Sequence, residues 1–511
     1  MRLLPYLISA SAVALCAFFA DFAAAAEPEA INIGSQRELF IDGYLVDSLD
    51  AAEILMHRPE RKNVVVTFDK PWEKDGEGYA TLLKIDSKYL MFYRAWGVAP
   101  GTPMYFAVLE SENGVEWTRP ELGIREYGGD KRNNIILDEV VPGSKLGTHD
   151  FTPFLDLKPG VPADEKYKAI GFGWYHDGGK GEHGLYAWKS PDAIHWTLIQ
   201  NDPVYTDGKF DTQNIAFWSA KEQKYVLYYR EFVNDVRVVM RAVSDDFVHW
   251  TNEGQIQFPP GQGPSLREQF YTNQIQPYYR APHIYVGLPT RYVDNGMTAS
   301  TPLLPDWDLR QERMKLFKGG ERLGTATTDV LFISSRDGVH FTRSDEPFIT
   351  PGLHTSKNWF YGDNYLAWNI IETLSPEDDS PNELSFYNIE AADGNGGTRI
   401  RRYALRIDGF ASIHAKANQG YMTTKPLTFE GKELSINFAT SSNGLIFVEV
   451  LDENGYVVPG FSKLECDPIY GDSLDRRVTW KGSADMSKLQ GKPIRLRFSL
   501  VEADLYSIKW E

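Results

Sequence analysis

The sequence predicts an all-β protein: a five-bladed β-propeller followed by a C-terminal β-sandwich. Three observations carry this expectation. Four short stretches share one pattern, SENGVEWT at 111–118, SPDAIHWT at 190–197, SDDFVHWT at 244–251 and SRDGVHFT at 335–342. Compact, aromatic-rich runs of strand type stand between them, and helix-period segments are scarce. After residue 418 apolar and polar residues alternate around Gly and Asn turns, as in a sandwich.

Each repeat reads as Ser, a polar turn, one or two apolar residues, an aromatic and Thr. The aromatics are Trp117, Trp196, Trp250 and Phe341. Repeats of this period mark the outer hairpins of propeller blades, with inserted loops absorbing the uneven spacing. The runs YLMFYRAW (89–96), YKAIGFGW (167–174), YVLYYREF (225–232) and HIYVGLPTR (283–291) supply the second strands. A fifth unit follows at GDNYLAWNIIET (362–373), ELSFYNIE (383–390) and TRIRRYALR (398–406). Its outer strand is expected in GFASIHAKA (409–417), which lacks the aromatic signature. The propeller then covers 27–417 and the sandwich 418–511. The sandwich reads as packing against the propeller, with a carbohydrate-binding module as the alternative.

Residues 1–26 read as a secretory signal peptide. Arg2 is the charged start, an apolar stretch runs to Ala20, and Ala24, Ala25 and Ala26 precede the cut. Export, secreted or periplasmic, follows as an expectation. Removing the leader takes Cys16 away and leaves only Cys466, so no internal disulfide is expected. The net charge of −17 makes nucleic acid and anionic membranes poor partners. No later segment has the ~18 unbroken apolar residues a membrane helix needs, so no membrane insertion is expected after the leader.

The stretch GKFDTQNIAFWS (208–219) carries the functional reading. A carboxylate and two amides open what should be a core strand. In a propeller the innermost strands converge on one channel, and residues at their opening ends face it. The other inner strands follow suit. EKDGEGYATLLKI offers Asp75 and Glu77, and THDFTPFLDL offers His149 and Asp150. REQFYTNQIQPYYR offers Arg267, Glu268, Tyr271 and Gln274, and YGDNYLAWN offers Asp363. Gln213 should lie on the same side as Asp211, because strand side chains alternate. Each acid could alternatively cap a turn or pair with Arg. Crowding acids from all five inner strands on one axis costs energy unless a function or counter-ions offset it.

This layout resembles the five-bladed propeller glycoside hydrolases, the invertase/levanase and arabinanase/β-xylosidase clan. The resemblance spans nearly the whole mature chain at the level of architecture, and it implies three essential acids on the inner strands of blades one to three. Glu77 or Asp75 then matches the base or nucleophile, Asp150 the acid that orients substrate and tunes pKa, and Asp211 the general acid. The motifs depart from the invertase pattern: NDPNG, RDP and the Glu-Cys pair are missing from blades one, two and three. The substrate therefore does not follow from the resemblance.

The chemistry points the same way. Glycoside hydrolysis needs two carboxylates about the scissile bond, one protonated and one ionised, and crowded acids push their pKa values apart. His149 is an alternative proton donor. The arginines Arg94, Arg230, Arg267, Arg280 and Arg291 either pair with the acids or read an anionic sugar. Trp96, Tyr271, Trp359 and Tyr361 either pack in the core or stack on a sugar. Arg94, Trp96, Gln213, Arg267, Glu268, Tyr271 and Asp363 form the expected substrate-binding set. No metal motif is seen and no cofactor is expected, although carboxylates in the channel suit a Ca2+ ion. Two further readings stay open: a non-catalytic carbohydrate-binding propeller, and a polysaccharide lyase using His149 and a Tyr.

Overall fold

The computed structural model of the chain describes residues 29–73, 79–96, 104–138, 140–141, 144–145, 150–174, 183–316, 318–375, 377, 379–392 and 397–511. The chain is mostly strand. Among the described residues the α-helices are Trp307–Met314 and the single turn Arg322–Thr325.

Antiparallel sheets of three to six strands follow one another along the chain. The first pairs Ala80–Ile85, Lys88–Trp96, Met104–Ser111 and Ile135–Asp138 in that order. The second has six strands: Val140–Val141 pairs with Ser144–Lys145, which joins Thr152–Leu155 on one edge of Tyr167–Trp174, and His183–Ser190 and Thr197–Leu198 follow on the other. The third runs Ile215–Ser219, Lys224–Val233, Val236–Ser244 and Trp250–Gln255. In the fourth, bends split the long strands into two sheets, Glu268–Phe270 with Thr290–Asp294 and Ala326–Val330, then Gln276–Tyr278 with Ala281–Gly287, Ile333–Ser335 and Phe341–Arg343. Strands such as KYVLYYREFV are buried on both faces, which is why they read as continuous apolar runs rather than alternations.

The four repeats are one hydrogen-bonded turn used four times. Ser111, Ser190, Ser244 and Ser335 each donate from Oγ to the side chain two residues on, Asn113, Asp192, Asp246 or Asp337, at 3.0–3.2 Å. That side chain accepts two backbone N–H groups, for example those of Val248 and His249 at 2.9 and 2.8 Å. The fourth residue is left-handed each time: Gly114, Ala193, Phe247 and Gly338 have φ of 74, 65, 70 and 77°. Gly114 has a second reason to be glycine, because a Cβ there would lie 2.5 Å from Thr373 Cγ2. The closing Thr pairs across the sheet with the residue before the Ser in every repeat. Trp117, Trp196, Trp250 and Phe341 therefore occupy equivalent places.

The fifth sheet corrects an expectation. Its inner strand is Tyr365–Leu366 with Ile371–Thr373, followed by Glu383–Glu390 and Arg399–Arg406. Its outer strand is Glu60–Thr67, not 409–417. The N-terminal part of the chain thus closes the last sheet. Ala411–Ala415 pairs instead with Ala52–Met56 and Ile494–Trp510. The physical reason lies in the partners available: Tyr403 and Ala404 already pair with Arg61 and Glu60.

Side chains tie the first strands of these sheets together. The first and fifth sheets also meet through the backbone, Trp368 N donating to Ala80 O at 2.8 Å and Leu82 N donating to Trp368 O at 3.0 Å. Gln213 donates to Ala80 O at 3.0 Å and to Thr81 Oγ1 at 2.9 Å, and Gln274 Nε2 donates to Gln213 Oε1 at 2.8 Å.

A ten-stranded sheet holds both ends of the described chain. Strands Ile31–Gly34, Glu38–Leu39, Val46–Asp50 and Ala52–Met56 join it beside strands from 411 onward. The unit expected over 418–511 is thus discontinuous in sequence. Its backbone is the pairing of Leu434–Asp452 with Ile494–Trp510, whose register breaks between Thr440 and Leu445. Gly444 sits in that break, where a Cβ would lie 2.5 Å from Glu502 O. The core of this sheet, including Phe438, Val448, Phe498 and Trp510, is separate from the cores of the other sheets.

Candidate active site

The turn that precedes Ile215–Ser219 builds the site. Gly208 packs so closely on Phe210 and Tyr229 that a Cβ would come within 2.6 Å of the Phe210 ring. Lys209 N donates to Arg230 O, and Arg230 Nε donates back to Lys209 O at 3.0 Å. This clamp presents Asp211, whose side chain is 66% exposed and lies 3.6 Å from Arg230 Nη2.

The three polar residues after Asp211 answer why a core strand starts this way. Thr212 Oγ1 donates to Tyr271 O at 2.8 Å, tying the third sheet to the fourth. Gln213 is buried and spends its amide on the first and fourth sheets, so it acts as a tie between strands. Asn214 Nδ2 lies 2.5 Å from Asp150 Oδ2 and also meets Phe210 O and Thr212 O, both at 2.9 Å. It holds the turn and the neighbouring carboxyl with one amide. Asn214 was visible as an oddly placed polar residue, but its partner is far away in sequence.

Asp150 is fully buried at the opening of Thr152–Leu155. Its Oδ1 accepts the Phe172 N–H at 2.7 Å. Burial pushes its proton affinity well above the usual carboxylate range, and the charge of Asp211 adds to that. The Phe172 and Asn214 hydrogen bonds and the Arg94 guanidinium oppose the shift without cancelling it. Asp150 thus feels the charge of Asp211 although the two sit in contrasting surroundings, one dry and one wet.

A ladder of tyrosines adjoins this pair. Tyr79 stacks on Tyr365 with centroids 5.9 Å apart, and Tyr365 stacks on Tyr271 at 5.1 Å. Tyr361 donates to Tyr271 Oη at 2.9 Å. Buried Arg94 lies over the Tyr79 ring at 5.1 Å, and Arg230 over Tyr271 at 5.7 Å. Burial raises the Tyr79 hydroxyl far above its ordinary pKa, with Tyr271 and Asp211 adding to the rise and Arg94 and Arg230 opposing it. Tyr79 and Tyr365 were not singled out by sequence reasoning, since tyrosines in strands are common.

The other expected residues fall in different places. Asp75, Glu77 and His149 lie outside the described residues, as does the side chain of Trp96. Glu268 bonds Arg291 at 3.1 Å and Arg343 at 3.0 Å. Burial would raise its pKa, but these two guanidiniums outweigh burial and hold it lowered. It belongs to an ion cluster with Asp329 rather than to the Asp150–Asp211 pair. Arg267 is exposed on the preceding loop. Arg280 pairs with Asp408 at 3.3 Å, and Trp359 donates to Gly352 O at 2.8 Å. Asp363 is buried and accepts the Phe360 N–H at 3.0 Å, which caps a turn. Among the described residues no three acidic, His or Cys side chains gather to hold a metal.

No protein-family model matches the chain, and no curated protein matches it by sequence. Solved structures that resemble it include a thermostable family-43 glycoside hydrolase, 15% identical, covering 66% of this chain and 92% of that one with a TM-score of 0.39. An exo-inulinase from Aspergillus awamori is 12% identical, covering 87% and 99% with a TM-score of 0.38. A family-32 β-fructofuranosidase from Bombyx mori is 10% identical, covering 89% and 94% with a TM-score of 0.39. At such identities and scores, the residues of this chain must carry the functional reading.

Proposed function

We propose that the protein is an exported glycoside hydrolase acting on a poly- or oligosaccharide. In this reading the five sheets are blades of one propeller, closed by Glu60–Thr67, and the ten-stranded sheet is a sandwich packed beside it. The observation that carries the reaction is the Asp150–Asp211 pair. One carboxyl is buried and holds its proton tightly, and the other is exposed beside an arginine and a wall of tyrosines. A buried carboxyl beside an accessible one is a means by which such a site can set the field at the acid that meets the glycosidic bond.

Accessibility divides the roles. Asp211 meets solvent, so it is the group that reaches the glycosidic oxygen, as general acid. Arg230 Nη2 lies 3.6 Å from Asp211, and the buried Asp150 carboxyl stands close enough for the two acids to interact electrostatically. Asp150 cannot touch substrate from its buried position and acts by setting that field. An acid from 75–77 supplies the base or nucleophile. A lyase would need a tyrosine ready to lose its proton, whereas Tyr79 is held strongly in its neutral form.

The test is a release assay over a panel of plant, algal and microbial glycans, with Asp211→Asn alongside. Sugar released by the wild type and not by the variant supports the proposal. Binding without release supports a lectin, and an unsaturated, ultraviolet-absorbing product a lyase.

A further inference from the structure

We infer that the sugar is acidic and that Arg237 is the residue that reads its charge. The inference rests on the hydrolase reading for where substrate lies, and deepens it by naming the substrate class.

The strands Lys224–Val233 and Val236–Ser244 form a hairpin that turns at Asn234 and Asp235, with φ of 51 and 63°. Two left-handed residues make the tight turn whose twist matches the flanking strands. In this register Phe232 stands opposite Arg237. Side chains alternate along a strand, so Arg230, Phe232 and Arg237 share one face near the tip. The distances agree. Arg230 and Arg237 lie 5.4 and 5.2 Å from the Phe232 ring, and 5.7 and 5.1 Å from the Tyr271 ring. Arg237 is also 5.0 Å from the Tyr292 ring. Tyr271 is the rung that leads to Tyr365, Tyr79 and the carboxyl pair. The hairpin tip therefore brings a second guanidinium to the Tyr271 ring, beside Arg230.

The two arginines differ in what neutralises them. Arg230 has Asp211. Arg237 has no ion pair among the described residues; Nη1 donates to Gln269 Oε1 at 2.7 Å, and its shielded Nε has no hydrogen-bond partner. A third guanidinium, Arg322, stands 4.9 Å over the Tyr361 ring. Holding an unneutralised guanidinium half-buried costs energy that ring contacts only partly offset. A chain of net charge −17 also repels polyanions at long range, so capture of an acidic sugar needs a local cation fixed near the carboxyl pair. Arginine forks oxyanions, and both the carboxylate of a uronate and the sulfate of a sulfated sugar fit that chemistry.

Calorimetric titration decides it. The probes are an oligogalacturonate and its methyl ester, and a sulfated galactan oligosaccharide and its desulfated form. Wild type should bind at least one acidic probe about tenfold or more tighter than its neutral counterpart, the size of a charge-assisted hydrogen bond. The pair that shows the preference names the oxyanion. Arg237→Gln should abolish the preference while leaving neutral binding in place, and Arg237→Lys should keep part of it. Arg237→Met, which keeps the stem on the rings, replaces the Gln variant if that one does not fold. Equal affinity for charged and neutral probes, a preference that survives in both neutral variants, or equal loss on both probes would overturn the inference. Neutral glycans cleaved without acid preference would remove this inference and leave the hydrolase reading standing. Acid preference without sugar release would do the reverse.

Discussion

Asn214 Nδ2 lies 2.5 Å from Asp150 Oδ2, across the boundary between the second and third sheets. One amide therefore fixes the buried carboxyl, and with Phe210 O and Thr212 O it fixes the turn that presents Asp211. Asn214→Ala should cost about 1–3 kcal/mol through the unmade buried hydrogen bonds, and lower activity more than its stability loss explains. Urea unfolding and turnover at full saturation measure the two effects separately.

Asp150 gives stability a pH dependence of unusual sign. Its folded pKa is raised well above 3.8, so between that value and the folded pKa the native state binds more protons than the unfolded chain. Its contribution is fully present below the unfolded pKa and is lost as pH rises through the folded one. Asp150→Asn mimics the neutral acid and should flatten this fall. Melting temperatures from pH 4 upward, wild type against variant, should diverge as pH rises; parallel curves would exclude the raised carboxyl.

The repeat turns act at the opposite end of the scale. Asp192 and Asp337 each hold an exposed His at 2.7 Å and accept backbone N–H groups. Burial would raise their pKa values, but the His side chain and backbone hydrogen bonds outweigh it and bring both down to about 2. Depressed carboxylates contribute stability that is present above pH 4 or so and lost as pH falls toward their folded pKa. Replacing both with Asn should make acid unfolding below pH 4 less steep. Because both acids are about half exposed, solvent screening keeps the effect modest.

Much of this architecture was legible because it repeats. Four copies of one turn, each preceded by aromatic strands, announce the sheets, and the same pattern places Trp117, Trp196, Trp250 and Phe341 alike. The closing strand was not legible. ERKNVVVT carries no repeat signature, and its partner strand, Arg399–Arg406, lies at the far end of the chain. At the site, Asp150 and Asp211 stood out as carboxylates at strand openings. Arg237 did not, because only the hairpin register reveals that it shares a face with Arg230. Glu268 looked equivalent to the other acids, yet two distant arginines claim it.

The central claim is that Asp211 delivers a proton to the leaving group, and leaving-group dependence tests it most directly. The measurement compares Asp211→Asn with wild type on the natural glycan and on the nitrophenyl glycoside of the same sugar. Loss of a general acid should cost about 10²–10⁴-fold on the natural bond, where the departing oxygen must be protonated. The nitrophenolate leaves unprotonated, so the loss on that substrate should be much smaller. Equal losses on both substrates, or full activity of Asp211→Asn on the natural glycan, would contradict the assignment.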